Sequence, residues 1–234
     1  MTLHISSTPG LVAHDFAEYF AEWAAGKPSV HLALSGGSTP RALFRHWAEH
    51  YRERIDWSSI HFYWGDERCV PPDDEESNFR MAHKLLLGPL GIPENQIYRI
   101  RGEAEPEAEA ERYGRLLQQQ LPTRHGLPAF DMIMLGMGED GHTASIFPHQ
   151  MELLTWPTPC AVAIHPETGQ GRVTLTGPVL NNASEVAFLV TGAGKAEKVK
   201  EIFTGTDSSR RYPAAHINPK GGKLLWFTDE AAFV

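Results

Sequence analysis

What most constrains this chain is a repeated exchange between short apolar stretches and segments of helical periodicity. Residues 30–34 are apolar, and Ser35-Gly36-Gly37-Ser38-Thr39-Pro40 follows them; Leu43, Phe44, Trp47 and Tyr51 then share one side of a helix. That order reads as strand, glycine turn and amphipathic helix, with Thr39 as the expected N-cap and Pro40 at the first helical position. Upstream, Val12, Phe16, Tyr19, Phe20 and Trp23 mark a helix that ends before Gly26-Lys27-Pro28. Downstream, the pattern predicts strands at 60–64, 97–100, 132–135, 161–164, 173–175, 186–190 and 223–227. Helices are expected at 77–87, about 105–121 and 195–203. The result is an α/β fold, Rossmann-like, with a mainly parallel sheet flanked by helices.

The chain has 234 residues, which suits a single domain spanning 1–234. Hydrophobic residues make up 41% and charged residues 21%, the balance of a packed globular protein. No apolar stretch approaches the length of a membrane span, and MTLHISSTPG lacks the charged-then-apolar pattern of a signal peptide, so a cytoplasmic location is expected. Two cysteines, Cys69 and Cys160, do not suggest a disulfide framework. The net charge of -8 opposes general attraction to nucleic acid or an anionic membrane, so neither is an expected partner. An anionic ligand would need locally placed cations.

Open sheets of this kind bind ligands beyond the carboxyl ends of their strands, which singles out a few loops. Gly36, Gly37 and Ser38 lie in the first, where free amides and a helix N-terminus suit a phosphate, although an ordinary tight turn explains the glycines equally well. No Gly-Lys-Ser/Thr follows, so this is not a Walker A sequence. Asp66-Glu67-Arg68 comes just after strand 60–64, where it can face a substrate or form a surface ion pair. The acids from Asp73 to Glu76 read as a solvated loop, and Arg80 either reaches the cleft or pairs with them. Arg172 and Lys195 place cations at element ends, as a phosphate clamp or as plain surface charge.

The segment Gly136-Met137-Gly138-Glu139-Asp140-Gly141-His142 contains G-x-G-x-x-G. A dinucleotide site would need a long following helix and an acid about 20 residues on. Pro148 interrupts the first, and residues 155–164 contain no acid. Asp140 and His142 instead suit an acid that orients a general base, against the plainer reading of a capping Asp beside an exposed His. His46-Trp47-Ala48-Glu49-His50 matches H-x-x-E-H but lacks a convincing third ligand, and no metal is expected. Without a G-x-S-x-G elbow, Ser35 and Ser145 are poor nucleophile candidates, and Cys69 has no evident base. The run from Glu103 to Glu111 reads as a solvated helix start.

These residues carry a resemblance. LALSGGSTPRALF, FYWGDERCVPPDDEESNFRMA, DMIMLGMGEDGHTASIFP and RVTLTGPVLNNASEVAFLVTGAGKAEKV resemble segments of 6-phosphogluconolactonases, in that family's order, and KGGKLLWFTDEAA is similar too. The resemblance implies hydrolysis of 6-phospho-D-glucono-1,5-lactone, the second step of the oxidative pentose phosphate pathway, with no cofactor. It implies His142 as catalytic histidine and Asp140 as its acid. Asp66 and Arg68 would lie around the substrate, with Gly36, Gly37, Ser38, Arg172 and Lys195 lining the sugar phosphate and Arg80 a further candidate. Glucosamine-6-phosphate isomerases share the glycine-rich loops and Asp-Gly-His, but are expected to carry a second acid where this chain has Phe147. A phosphosugar-sensing module would have no need of His142. The oligomeric state stays open and is compatible with a monomer.

Overall fold

The computed structural model describes residues 1–233. Six strands, β1 (Thr2–Ser6), β2 (Val30–Leu34), β3 (Ile60–Trp64), β7 (Met132–Leu135), β10 (Glu185–Val190) and β11 (Lys223–Asp229), form one sheet in the order β1-β11-β10-β7-β2-β3. Every pairing in it is parallel. A second sheet is antiparallel, with β4 (Asp66–Arg68), β9 (Gly171–Leu175) and β8 (Cys160–Ile164) in that order. The two-residue strands β5 (Thr123–Arg124) and β6 (Leu127–Pro128) make a small hairpin.

The helices are α1 (Pro9–Ala24), α2 (Ser38–His50), α3 (Asn78–Ala82), α4 (Gly88–Leu90), α5 (Pro106–Gln120), α6 (Gly177–Leu180) and α7 (Ala196–Thr204). Thr8 starts α1 by accepting from the Leu11 amide at 3.3 Å, with Pro9 in the first turn, where a missing N–H costs nothing. β7 and β10 are buried at every position, as strands covered on both faces must be, so they read as apolar runs without alternation. Among the described residues, no helix is long and apolar enough to cross a membrane.

Two features position the cleft. Strand order diverges at β2: β3 lies on one side, while β7, β10, β11 and β1 continue on the other. The loops after β2 and β7 therefore open onto one crevice. Gly65 alone separates β3 from β4; its N–H donates to the Leu34 carbonyl at 2.9 Å, and its carbonyl accepts from Leu175 N at 2.8 Å. The chain thus changes sheets within one residue, laying Asp66 and Arg68 over the crevice.

Several expectations require correction. Gly37, at φ +111°, is the N-cap of α2, and Thr39 is the second helical residue, whose hydroxyl meets the Thr191 hydroxyl at 2.8 Å. Residues 97–100 form no strand; Ile97 makes one bridge to Phe62. The predicted helix at 77–87 is α3 followed by a π-helical turn, His83–Leu87. β8 and β9 belong to the antiparallel sheet. Glu109 is not solvated but buried, accepting from Arg112 Nε at 2.7 Å and from the Arg101 amide at 2.7 Å. Strands β1 and β4 have sequences too short and polar for periodicity to reveal.

The core under α1 and α2 is aromatic. Trp47 is fully buried, its ring 4.9 Å from Phe20, 5.9 Å from Phe16 and 5.8 Å from Trp57. Trp47→Ala is expected to lower unfolding free energy by about 3–5 kcal/mol, read from the urea midpoint. Trp47→Phe should cost clearly less, since it keeps most of the volume and deletes an indole N–H that has no partner among the described residues.

Candidate active site

At the crevice lies a cleft of about 170 Å³ lined by Ser35, Gly36, Gly37, Asp66, Arg68, Asn78, Gly136, Met137, Gly138, His142, Ala144 and Arg172. A neighbouring lobe of about 280 Å³ shares Gly37, Arg68 and Asn78 and adds Ser38 and Arg41. A larger groove, about 530 Å³, runs along α5 and β8. It is mostly apolar, and no comparable set of acid, base and cations converges there. Chemistry rather than size selects the cleft.

The loop after β7 closes on itself, with the Gly138 amide donating to the His142 carbonyl at 2.9 Å and Thr143 Oγ1 donating to the Gly136 carbonyl at 2.8 Å. A Cβ on Gly138 would sit 2.2 Å from His142 Nδ1, so this glycine makes room for an imidazole rather than a pyrophosphate. His142 Nδ1 lies 2.7 Å from Asp140 Oδ1, and the same oxygen accepts from the His142 amide at 3.1 Å. Burial alone would raise the Asp140 carboxyl. The hydrogen bond and charge of His142 outweigh it and hold the group below the ordinary aspartate range. Phe147 is fully buried, its ring 4.8 Å from the imidazole, so the position expected to be acidic in the isomerases is an apolar wall.

Alternation along β4 sorts the Asp66-Glu67-Arg68 triplet. Asp66 and Arg68 line the cleft, whereas Glu67 turns away and takes the amides of Asn78 and Phe79, each at 2.7 Å. Asp66 is anchored by the fully buried Ser145, whose hydroxyl donates to Oδ2 at 2.7 Å. This bond ties the histidine loop to β4, and complete burial keeps Ser145 from meeting a substrate as a nucleophile. Cys69 is no better placed: burial first, then the charge of Glu67, pushes its thiol up to about 11.

Arg68 and Arg172 are direct partners in the β4–β9 register. Burial, then the neighbouring Arg68 charge, lowers the Arg172 guanidinium from its usual value despite Asp66, Glu76 and Glu67. Two cations side by side in a partly desolvated cleft create a strong local preference for an anion. Arg68 donates to the Glu76 carbonyl and Arg172 Nε to Gln170 Oε1 at 3.2 Å; Arg68 Nε is buried without a partner among the described residues.

Four candidates stay off the cleft wall: Ser38 lines the neighbouring lobe, Asp140 holds His142 without lining the cleft, and Arg80 and Lys195 lie apart from it. Arg80 lies 3.7 Å from Glu75, realising the pairing alternative. Lys195 is half-buried; burial lowers its ammonium, partly offset by Glu139 and Asp140. The His46 and His50 rings are 4.8 Å apart, and His46 Nε2 meets His14 Nδ1 at 3.3 Å. Among the described residues, no group of three His, Cys, Asp or Glu could hold a metal. Sequence reasoning did not single out Arg41, Asn78 or Ala144, and it took Ser35 and Met137 only as parts of their loops. Arg41 carried a faint signal, being one turn beyond Ser38.

The family described as glucosamine-6-phosphate isomerases/6-phosphogluconolactonase matches residues 8–226. A 6-phosphogluconolactonase of Treponema pallidum is 44% identical over 209 residues, covering 89% of this chain and 87% of that protein. One of Haemophilus influenzae is 44% identical over 217 residues, covering 92% and 91%. The solved structure of 6-phosphogluconolactonase from Trypanosoma brucei superposes with a TM-score of 0.85 at 29% identity, over 99% of this chain and 97% of that one. Fold and cleft thus define an α/β enzyme of the open-sheet type. The chain belongs to the glucosamine-6-phosphate isomerase/6-phosphogluconolactonase family.

The Asp140–His142 pair can be tested without substrate. A group whose folded pKa is depressed adds stability above its unfolded value and loses it as pH falls through the folded one. The Asp140 carboxyl carbon is expected to titrate below 3.8 by NMR, and to move upward in His142→Ala, where burial is opposed only by backbone amides. An unchanged titration would show that the imidazole does not hold the acid.

Proposed function

We propose that this chain hydrolyses 6-phospho-D-glucono-1,5-lactone to 6-phosphogluconate, with His142 as the general base. The observation that carries this reading is the Asp140–His142 hydrogen bond of 2.7 Å in the same cleft as the Arg68–Arg172 pair. It puts an oriented base beside an anion site. The relatives named 6-phosphogluconolactonase at 44% identity support the substrate.

A lactone is an electrophilic ester, so water suffices as nucleophile once a base removes its proton. Asp140 at Nδ1 favours the tautomer that leaves the Nε2 lone pair as base. As water attacks C1, His142 takes the proton and the carbonyl oxygen gains charge. Arg68 or backbone amides of the glycine loops stabilise that charge. Collapse breaks the bond from C1 to the ring oxygen, and the imidazolium returns the proton to the leaving oxygen. Gly36, Gly37 and Ser38 at the start of α2, with Arg172, hold the phosphate; Lys195 adds positive potential beside the acid loop. Asp66, held by Ser145, faces the sugar.

A solved glucosamine-6-phosphate deaminase has a TM-score of 0.83 at 20% identity, which establishes a common fold and leaves the reaction to the site. Phe147 favours the lactonase, because an apolar ring cannot relay charge to His142.

Fresh 6-phosphogluconolactone should be turned over and glucosamine 6-phosphate should not; the opposite result would sink this reading. His142→Ala is expected to lower kcat by about 10²–10⁴-fold after subtraction of spontaneous hydrolysis, with 6-phosphogluconate still bound. Arg172→Ala should raise KM by about 10–100-fold with a smaller change in kcat, the loss of one charge-assisted contact. An unchanged KM would remove Arg172 from the phosphate site.

A further inference from the structure

Asn78 is the most deeply buried polar side chain on the cleft wall, at 2% exposure, and neither periodicity nor motif drew attention to it. Its setting is specific. Nδ2 donates to the Asp66 carbonyl at 3.0 Å, which fixes the amide orientation: that carbonyl can only accept, so the nitrogen must face it. The backbone amide of Asn78 is held by Glu67 Oε1 at 2.7 Å, and Ser77 Oγ donates to Glu67 Oε2 at 3.1 Å. Glu67 is itself buried. A carboxylate on the hidden face of β4 thereby locks the residue whose side chain emerges on the open face.

The remaining atom is Oδ1, which accepts no hydrogen bond from the protein among the described residues. It stands where a side chain on Gly36 would have to go: a Cβ there would be 2.0 Å from Oδ1. Glycine at 36 is therefore required by the close approach of the amide. Oδ1 is a rigid acceptor beside the phosphate loop, on the same wall as Asp66 and Arg68, in a cleft otherwise rich in donors.

We propose that Asn78 is a specificity-determining residue whose Oδ1 accepts a hydrogen bond from a hydroxyl of the sugar lactone, with Glu67 as its positioning residue. The proposal rests on the lactonase reading. A site built to hydrogen-bond a hydroxyl rejects the analogue lacking it, since its buried partner is left unpaired. The contact thus distinguishes a polyhydroxy phosphosugar from a simpler phosphorylated ester.

The test compares 6-phosphogluconolactone with its monodeoxy analogues on the wild type and Asn78→Ala. In the wild type, one analogue should lose about tenfold in kcat/KM, the worth of one hydrogen bond. Asn78→Ala should lose about tenfold on the parent lactone, mainly through KM, and treat that analogue and the parent alike. Equal discrimination in both proteins, or an unchanged KM in Asn78→Ala, overturns the proposal. If the variant does not fold, a crystal structure of the wild type with 6-phosphogluconate decides. A ligand hydroxyl within hydrogen-bond distance of Oδ1 supports the proposal, and a bound ligand with none there overturns it. Failure of the parent reading is separate, appearing as no turnover of the lactone by the wild type.

Discussion

The structure depends on the reversal of strand order at β2. With β3 on one side of β2 and β7 on the other, the loops that leave β2 and β7 at their carboxyl ends are not separated by a crossover helix. One supplies Gly36, Gly37 and the start of α2; the other supplies Asp140 and His142. Gly65 then turns the chain directly into β4, and hydrogen bonds to Leu34 and Leu175 hold the two sheets together at that residue. Displacing any of these backbone connections would separate the loop of Gly36 and Gly37 from that of His142.

Electrostatics within the crevice run against the molecule as a whole. The chain carries a net charge of -8, yet its cleft places Arg68 opposite Arg172. The nearby acids offset them only in part, and each also holds donors of the protein. Asp66 is bonded by Ser145, Asp140 by His142, and Glu67 by the amides at the start of α3. Burial first, and then the Arg68 charge, lowers Arg172, and a bound anion offsets that repulsion most directly. Local arrangement, not net charge, decides what this cleft attracts.

Much of this was legible in the sequence, and the failures have identifiable physics. Central strands such as β7 and β10 are buried on both faces and show as apolar runs, and the amphipathic stripes of α1, α2 and α5 mark the layers that cover them. β1 and β4 escaped because their strand character comes from pairing: Thr2–Ser6 is ordered by β11, and Asp66–Arg68 by β9. Ile97 shows the converse, an apolar stretch that finds one bridge and no ladder. Glu109 looked solvated because its partners, Arg112 and the Arg101 amide, become visible only when the chain folds back. In the cleft, Asp140 and His142 could be paired from their spacing of two residues. Asn78 offered no such cue, since its partners Glu67, Asp66 and Gly36 lie on other elements.

The sequence by itself determined the α/β class, the succession of elements and the presence of an acid and a histidine on one glycine-rich loop. These follow from periodicity and local spacing, which are properties of near neighbours in the chain. Tertiary structure alone decided which face of β4 meets the cleft and that Arg68 stands against Arg172. It also left Arg80 with Glu75 and made Asn78 part of the wall. Those outcomes depend on register and on contacts between distant segments, which the linear pattern does not contain.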